Sequence, residues 1–317
     1  MRRLVGLLLL IAVALPGAPA VAQPVVQEYS VPAGSHPHDV APAADGGVWF
    51  TAQAAGYLGW LDPNSGEVRQ IPLGKGSAPH GVIVGPDGAA WVTDGGQNAI
   101  ARVDPTTYDV HLFPVPGRGA NLNTATFDRA GMLWFTGQSG VYGRVDPVSG
   151  DVRVWDAPRG SGPYGITTTP DGRVVYASQA GSHIAQVDLE TGQATPIDSP
   201  TAGQGARRVW TDSHGVVWVS EWNAGQVGRF DPRTGEWREW QLPGARPQTY
   251  AVYVDEQDTV WLTDWGSNAI VRFDPAAETF QPFPMPQRNS DMRQLNGRPG
   301  EVWAAESALD KLVVIRH

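Results

Sequence analysis

Pro86-Asp87-Gly88-Ala89-Ala90-Trp91-Val92-Thr93-Asp94-Gly95 reads as a tight turn, a short strand and a second turn. Asp and Gly accept the backbone angles of turns that β-branched residues avoid, whereas Trp, Val and Thr suit a half-buried strand. The same reading recurs along the chain. Trp49, Trp91, Trp134, Trp218, Trp261 and Trp303 lie 42, 43, 84, 43 and 42 residues apart, and Val175 stands in the middle of the double interval. Seven units follow from that spacing.

In each unit a third strand comes next. It stops at Asp-Pro five times, at Asp62-Pro63, Asp104-Pro105, Asp146-Pro147, Asp231-Pro232 and Asp274-Pro275, with Asp188-Leu189 as the variant. A fourth strand then runs to a final proline: Val68 to Leu73 (through Pro72), Val110 to Pro116, Val152 to Pro158, Ala194 to Pro200, Trp237 to Pro243 and Phe280 to Pro286. The last unit ends with its third strand, Lys311 to Ile315, and its fourth is found at the other terminus, where Val26 to Pro32 carries the same pattern. Pairing the two ends hides edges that would otherwise invite aggregation. A period of about 42 residues with four strands per unit implies an all-β fold, a seven-bladed β-propeller of four-stranded blades, its last blade closed by the N-terminal strand. The tryptophans then pack between blades as scaffold, and the Asp-Pro and Asp-Gly carboxylates serve turns.

Arg2 and Arg3 precede an apolar run from Leu4 to Leu15, and Ala20-Val21-Ala22 offers small residues for cleavage before Gln23. This predicts a signal peptide over 1–22, a single propeller domain over 23–317, and a periplasmic or secreted protein. The absence of cysteine rules out disulfides, thiolate nucleophiles and cysteine-bound metals. The formal charge of −9 becomes −11 without Arg2 and Arg3, a balance that repels nucleic-acid phosphates and anionic lipid. Neither nucleic-acid binding nor membrane insertion is expected; a small-molecule ligand and a monomeric ring are.

In a propeller the innermost strands line an axis, so two positions per unit are expected to face one funnel. Eleven residues before the tryptophan stand His38, His80, Asn123, Tyr164, Arg207, Tyr250 and Met292, with Arg293 beside the last. Three residues after it stand Ala52, Asp94, Gly137, Ser178, Glu221, Asp264 and Glu306. Scaffold positions vary little between units, whereas these vary in chemical type, as a binding site on a rigid frame would. Four carboxylates around one mouth would repel one another, and a Mg²⁺ or Ca²⁺ ion would relieve them. His36 and His214 lie off the ring and read as turn residues.

The segments Ala78-Pro79-His80-Gly81, Pro163-Tyr164-Gly165-Ile166, Trp49-Phe50-Thr51, Trp134-Phe135-Thr136, Val227-Gly228-Arg229 and Thr263-Asp264-Trp265-Gly266 together resemble the streptogramin B lyase (virginiamycin B lyase) family. The resemblance covers all seven units. It implies ring-opening of a cyclic ester by elimination, with Mg²⁺ and a histidine base. The family's Glu-Pro-His of the last blade meets Asp291-Met292-Arg293 here, and its second carboxylate meets Glu306, so Asp291 and Glu306 stand as metal ligands while the histidine is replaced by Arg293. A second family histidine, in an Ala-Arg-Pro-His run, meets Ala245-Arg246-Pro247-Gln248, or Tyr250 in the other alignment. Arginine is too strong a base to be free of its proton, so the base would be His80, His38 or Glu221, with Arg293 and Arg207 as clamps on the ester. Asp94, Asn123, Glu221 and Asp264 would instead suit a Ca²⁺-dependent lactonase, and the missing histidine would suit a propeller that binds a ligand or a protein without turnover.

Overall fold

The computed structural model describes residues 24–317; the expected signal peptide lies outside the described residues. Seven four-stranded antiparallel sheets form the blades of a propeller. The first is built of Pro37–Pro42, Val48–Ala52, Tyr57–Leu61 and Val68–Pro72, in order from axis to rim. The last consists of Met292–Arg298, Glu301–Glu306 and Lys311–Arg316, and its rim strand is the N-terminal Val25–Ser30, paired from Val25 with Arg316 to Ser30 with Lys311. The closure expected from the sequence is therefore present.

The periodic tryptophans are almost wholly buried and pack against the neighbouring blade, as Trp49 does with Val82 and Val92. Four of their indole N–H groups explain turn aspartates. Trp91 donates to Asp87 at 3.2 Å, Trp134 to Asp128 at 2.8 Å, Trp218 to Asp212 at 3.1 Å and Trp261 to Asp255 at 2.7 Å. One carboxylate thus both shapes the hairpin and satisfies a buried donor that would be costly to leave unpaired.

In five of the seven blades a hydroxyl two residues after the tryptophan position ties the blade to the next, with Ala177 and Ala305 in its place in the other two. Thr51 Oγ1 accepts from Asp39 N at 3.0 Å and donates to His80 O at 2.8 Å. Thr93 links Gly81 N to Asn123 O, and Ser220 links Arg208 N to Tyr250 O. Thr263 links Ala251 N to Arg293 O in the same way. Each bond lies where the inner strand slips register against its neighbour, for example between Pro37 and Val40 or between Ala206 and Val209. Such a bulge re-aims side chains. Here it turns two successive residues of each inner strand toward the axis.

Candidate functional site

The first of those two layers is the predicted ring. Arg293, rather than Met292, occupies its seventh station. Gly297 pairs with Val302 as Pro42 pairs with Val48, but four residues separate the pair in the last blade and five in the first, so the count back from Trp303 falls one short. Met292 instead joins an apolar cluster with Leu295 and Trp261.

The ring side chains close the axis rather than line an open shaft. His38 is 2% exposed, His80 6%, Tyr164 3% and Tyr250 0%. His38, Tyr164 and Tyr250 belong to one hydrogen-bond chain. His38 Nδ1 lies 2.8 Å from Asp39 Oδ1, and the Tyr250 hydroxyl lies 3.0 Å from His38 Nε2 and 2.7 Å from the Tyr164 hydroxyl. Arg207 donates to the Tyr164 hydroxyl at 2.9 Å, and Arg208 donates to both Asp39 oxygens at 2.9 and 3.3 Å. Arg207 can only donate and ionised Asp39 can only accept, so the chain has one consistent direction: Arg207 to Tyr164 to Tyr250 to His38 to Asp39.

Burial, aided by the Arg208, Arg293 and Arg207 charges, holds His38 well below its usual pKa, and burial beside His38 does the same to His80. Both imidazoles are neutral at pH 7. Burial pushes the Tyr250 phenol up, but the Arg207, Arg208 and Arg293 guanidinium groups and the Tyr164 hydrogen bond outweigh it, and Tyr250 sits below its usual value. Tyr164 is displaced upward, chiefly by burial. His80, the expected base, lies with its ring centre 3.8 Å from that of His38, tilted by 45°, and both its ring nitrogens are engaged by Asn123, at 3.1 Å to the carbonyl and 3.2 Å to the amide.

Above this plug stand half-buried aromatic and cationic groups. Trp265 stacks on Tyr250 at 5.5 Å, and Trp222 meets both edge-on. Arg207 lies 3.8 Å from the Tyr250 ring centre and 4.9 Å from that of Trp222, and Arg293 lies 4.9 Å from that of Trp265. The mouth therefore offers two guanidinium groups on an aromatic floor, an arrangement suited to a carbonyl or carboxylate oxygen on an apolar ring.

The second predicted ring is turned to other work. Asp94 accepts from Ala78 N, Gly96 N and Gln97 N at 2.9 to 3.1 Å, and Asp264 accepts from Gln248 N, Gly266 N and Ser267 N at 2.7 to 3.1 Å. Both carboxylates close loops. Glu221 reaches outward over Gly228, where a Cβ would come within 2.7 Å of its Oε1, and neither of its oxygens has a hydrogen-bond partner. Burial, with Glu239 nearby, pushes it up to about 8.

A group protonated in the fold and ionised in the unfolded chain stabilises fully below its unfolded pKa and loses that contribution as pH rises through its folded one. For Glu221 the loss runs from its ordinary 4.5 to about 8. The Glu221→Gln variant is thus expected to match the wild type near pH 4.5 and to exceed it by roughly 2 kcal/mol or more at pH 8.5. Urea unfolding at the two pH values measures this, and a gap that does not change with pH refutes it.

Glu306 is likewise fully buried with both oxygens unpartnered; burial, with Glu28 nearby, pushes it up to about 7. Asp291 sits at φ 48° in the loop beside Trp265, Gln248 and Asn268. Among the described residues the group of three His, Asp or Glu side chains close enough to share an ion is His38, Asp39 and His80. It is already closed by Arg208, Tyr250 and Asn123, and its neighbouring guanidinium groups disfavour a further cation. Neither Asp291 with Glu306 nor Asp94 with Glu221 and Asp264 belongs to such a group. The orphaned oxygens of Glu306 nevertheless fit a Mg²⁺ ion, which keeps most of its waters and needs only one or two carboxylates, better than Ca²⁺, which takes six to eight oxygens.

The family model described as virginiamycin B lyase family matches residues 24–315. This chain belongs to the virginiamycin B lyase family. A streptogramin B lyase structure superposes with a TM-score of 0.85 at 23% identity, covering 92% of this chain and 97% of that one. Selenomethionine-substituted virginiamycin B lyase from Staphylococcus aureus superposes at 0.87 and 20% identity, covering 93% and 100%. A catalytically inactive histidine-to-alanine variant of that lyase with quinupristin superposes at 0.86 and 21% identity, with the same coverage. At these identities the likeness to solved structures is one of fold. No curated protein matches the chain. In this family member the groups that sequence spacing overlooked are Asp39, Arg208, Trp222 and Trp265. Each directly follows a ring residue.

Proposed function

We propose that this virginiamycin B lyase family member takes a cyclic ester at the axial mouth and opens it by elimination, with Tyr250 as the proton-removing group. The observation that carries the reading is the directed chain from Tyr250 through His38 Nε2 to buried Asp39. As the Tyr250 proton passes to His38, the phenolate oxygen removes a proton from the carbon adjacent to the one that carries the ester's alkyl oxygen. The C–H electrons form the alkene, the alkyl C–O bond of the ester breaks, and the acyl part leaves as a carboxylate. Asp39 stabilises the imidazolium that results, the role a buried carboxylate plays behind any histidine relay. Arg207 and Arg293 face the oxygen on which negative charge develops. Tyr250 lies beneath half-buried Arg207 and Trp265, so substrate entry displaces those side chains. Asp291 and Glu306 would hold Mg²⁺, which supplies Lewis-acid polarisation of the ester when bound.

The test incubates the chain from Gln23 onward with a streptogramin B ester and a panel of lactones, with Mg²⁺, with Ca²⁺ and with chelator, and reads products by mass. Elimination gives an alkene at unchanged mass; a product heavier by one water is hydrolysis and refutes the reading. A second reading, ligand binding without turnover, is favoured by Arg293 in place of the family's histidine and by the burial of Tyr250; saturable binding of an unconverted ester establishes it. The predicted leader adds that either activity operates outside the cytoplasm, which fractionation of the expressing cell decides.

A further inference from the structure

The formal charge of −9 is not spread evenly over the ring. Each inner strand starts at the mouth and runs away from it, so the hairpins between third and fourth strands lie on the far face, while the loops from a rim strand to the next inner strand cross the mouth face. Asp62, Asp104, Asp146, Asp188, Asp231 and Asp274 open those hairpins. The crossing loops are basic instead. Lys75, Arg118, Arg246 and Arg288 stand exposed in four of them, and among the described residues none of the four is ion-paired.

Most carboxylates on the mouth face are already engaged. Asp94 and Asp264 close loops, Asp310 accepts from Gly34 N at 2.8 Å and from His36 N at 2.7 Å, and Asp198 pairs with Arg159. Glu221 and Glu306 are buried, and Asp39, deeper on the axis, is paired with Arg208. Asp156 and Asp291 are left to oppose the four loop cations and, at the centre, Arg207 and Arg293. Those two are half-buried over the Tyr250 ring, 3.8 and 5.5 Å from its centre. Among the described residues the terminal nitrogens of Arg293 have no hydrogen-bond partner, and they are not shut off from solvent. Charges of one sign around a low-dielectric cleft concentrate ligands of the opposite sign and speed their arrival.

We propose that the ligand of the axial mouth is an anion: a lactone or other cyclic ester whose apolar ring carries a free carboxylate. The ring meets Trp265 and Trp222, the carboxylate meets the open guanidinium of Arg293, and the loop cations steer the molecule inward. The inference rests on the cyclic-ester reading of the mouth, and it holds whether or not the bound ester is converted.

Fluorescence titration of the chain from Gln23 onward with coumarin-3-carboxylate, an anionic lactone, and with coumarin-3-carboxamide, its neutral counterpart, tests it. At about 20 mM NaCl the acid is expected to bind roughly tenfold more tightly than the amide, since one charge-assisted contact is worth about that factor. At about 500 mM NaCl the gap should narrow, because salt screens exposed charges. Arg293→Gln is expected to remove the preference. Lys75→Gln, Arg118→Gln, Arg246→Gln and Arg288→Gln combined are expected to slow association of the acid roughly tenfold in stopped flow and to leave its dissociation rate nearly unchanged, as rim charges that steer do. Melting curves confirm that both variants fold. No saturable binding of the acid, equal affinity for the amide, a preference that persists in Arg293→Gln, or association unmoved by the loop variant overturns the proposal. Turnover of a neutral cyclic ester with no such preference leaves the elimination reading standing without it; preferred binding of the acid without turnover of any ester does the reverse.

Discussion

Tyr250→Phe removes a single oxygen and is expected to lower turnover of a cyclic ester by roughly 10²- to 10⁴-fold, the range a positioned acid–base group contributes. The ring remains to stack on Trp265, so the mouth keeps its shape. The cost to the fold is the two hydrogen bonds made by the hydroxyl, to His38 and Tyr164, and about 1–3 kcal/mol for the buried partners left unpaired. Turnover and stability therefore separate. The loss should fall on kcat with KM nearly unchanged, because the phenol acts in the transition state and lies beneath the groups that meet the ester first. Tyr164→Phe supplies the control: it removes the neighbouring hydroxyl and its bond to Arg207 while leaving Tyr250 its link to His38, and it should cost far less turnover. If Tyr250→Phe keeps wild-type kcat, the relay is not the proton acceptor.

The pH profile carries a second signature of the same chain. His38 must be neutral at Nε2 to accept, and burial with three nearby guanidinium groups holds its pKa well below 6.5. The acid limb of the rate should accordingly lie below the usual histidine range.

Propeller, blade count and ring closure were legible in the sequence because they rest on turn chemistry and burial, which repeat in every blade. Trp91, Asp87 and the Asp-Pro stops each announce a local backbone need, and the unpaired Val26 to Pro32 segment has a fourth-strand pattern with no other place to go. The first ring of axial residues was legible for the same reason. What spacing could not show is the bulge. Alternation along a strand sends neighbours to opposite faces, so with His38 and Arg207 assigned to the axis, Asp39 and Arg208 read as facing away. The register slip turns both inward, and Thr51 and Ser220, read as part of a strand, are the hydroxyls that hold it. The second ring differed for the converse reason. Asp94 and Asp264 have the composition of a metal mouth, but each opens a turn, and the N–H groups of Gly96 and Gln97 and of Gly266 and Ser267 claim the carboxylates first. In the last blade a hairpin loop one residue shorter moved Arg293 into the station counted for Met292.

Arg208 is where scaffold and site become one element, and Arg208→Leu is expected to be the most destabilising single change at the axis. Asp39 is fully buried and, besides His38, its carboxylate has Arg208 as partner. Deleting one member of such a pair leaves a buried charge uncompensated and costs about 3–5 kcal/mol, whereas replacing both by apolar groups is often neutral. Unfolding by urea should therefore show a large loss for Arg208→Leu and a recovery of most of it in Arg208→Leu/Asp39→Leu. Burial already raises Asp39, and without the opposing guanidinium it rises further. A carboxyl with a raised folded pKa contributes stability below its unfolded value of 3.8 and loses it as pH rises, so the single variant should be least deficient in acid and worsen toward neutrality. The double variant, having no carboxyl at this site, should show no such slope. If the single variant matches wild type at pH 7, Asp39 is neutral there, and His38 then has no charged partner to stabilise its protonated form. The relay from Tyr250 would lose its terminus with it, so one stability measurement bears on both the frame and the chemistry it holds.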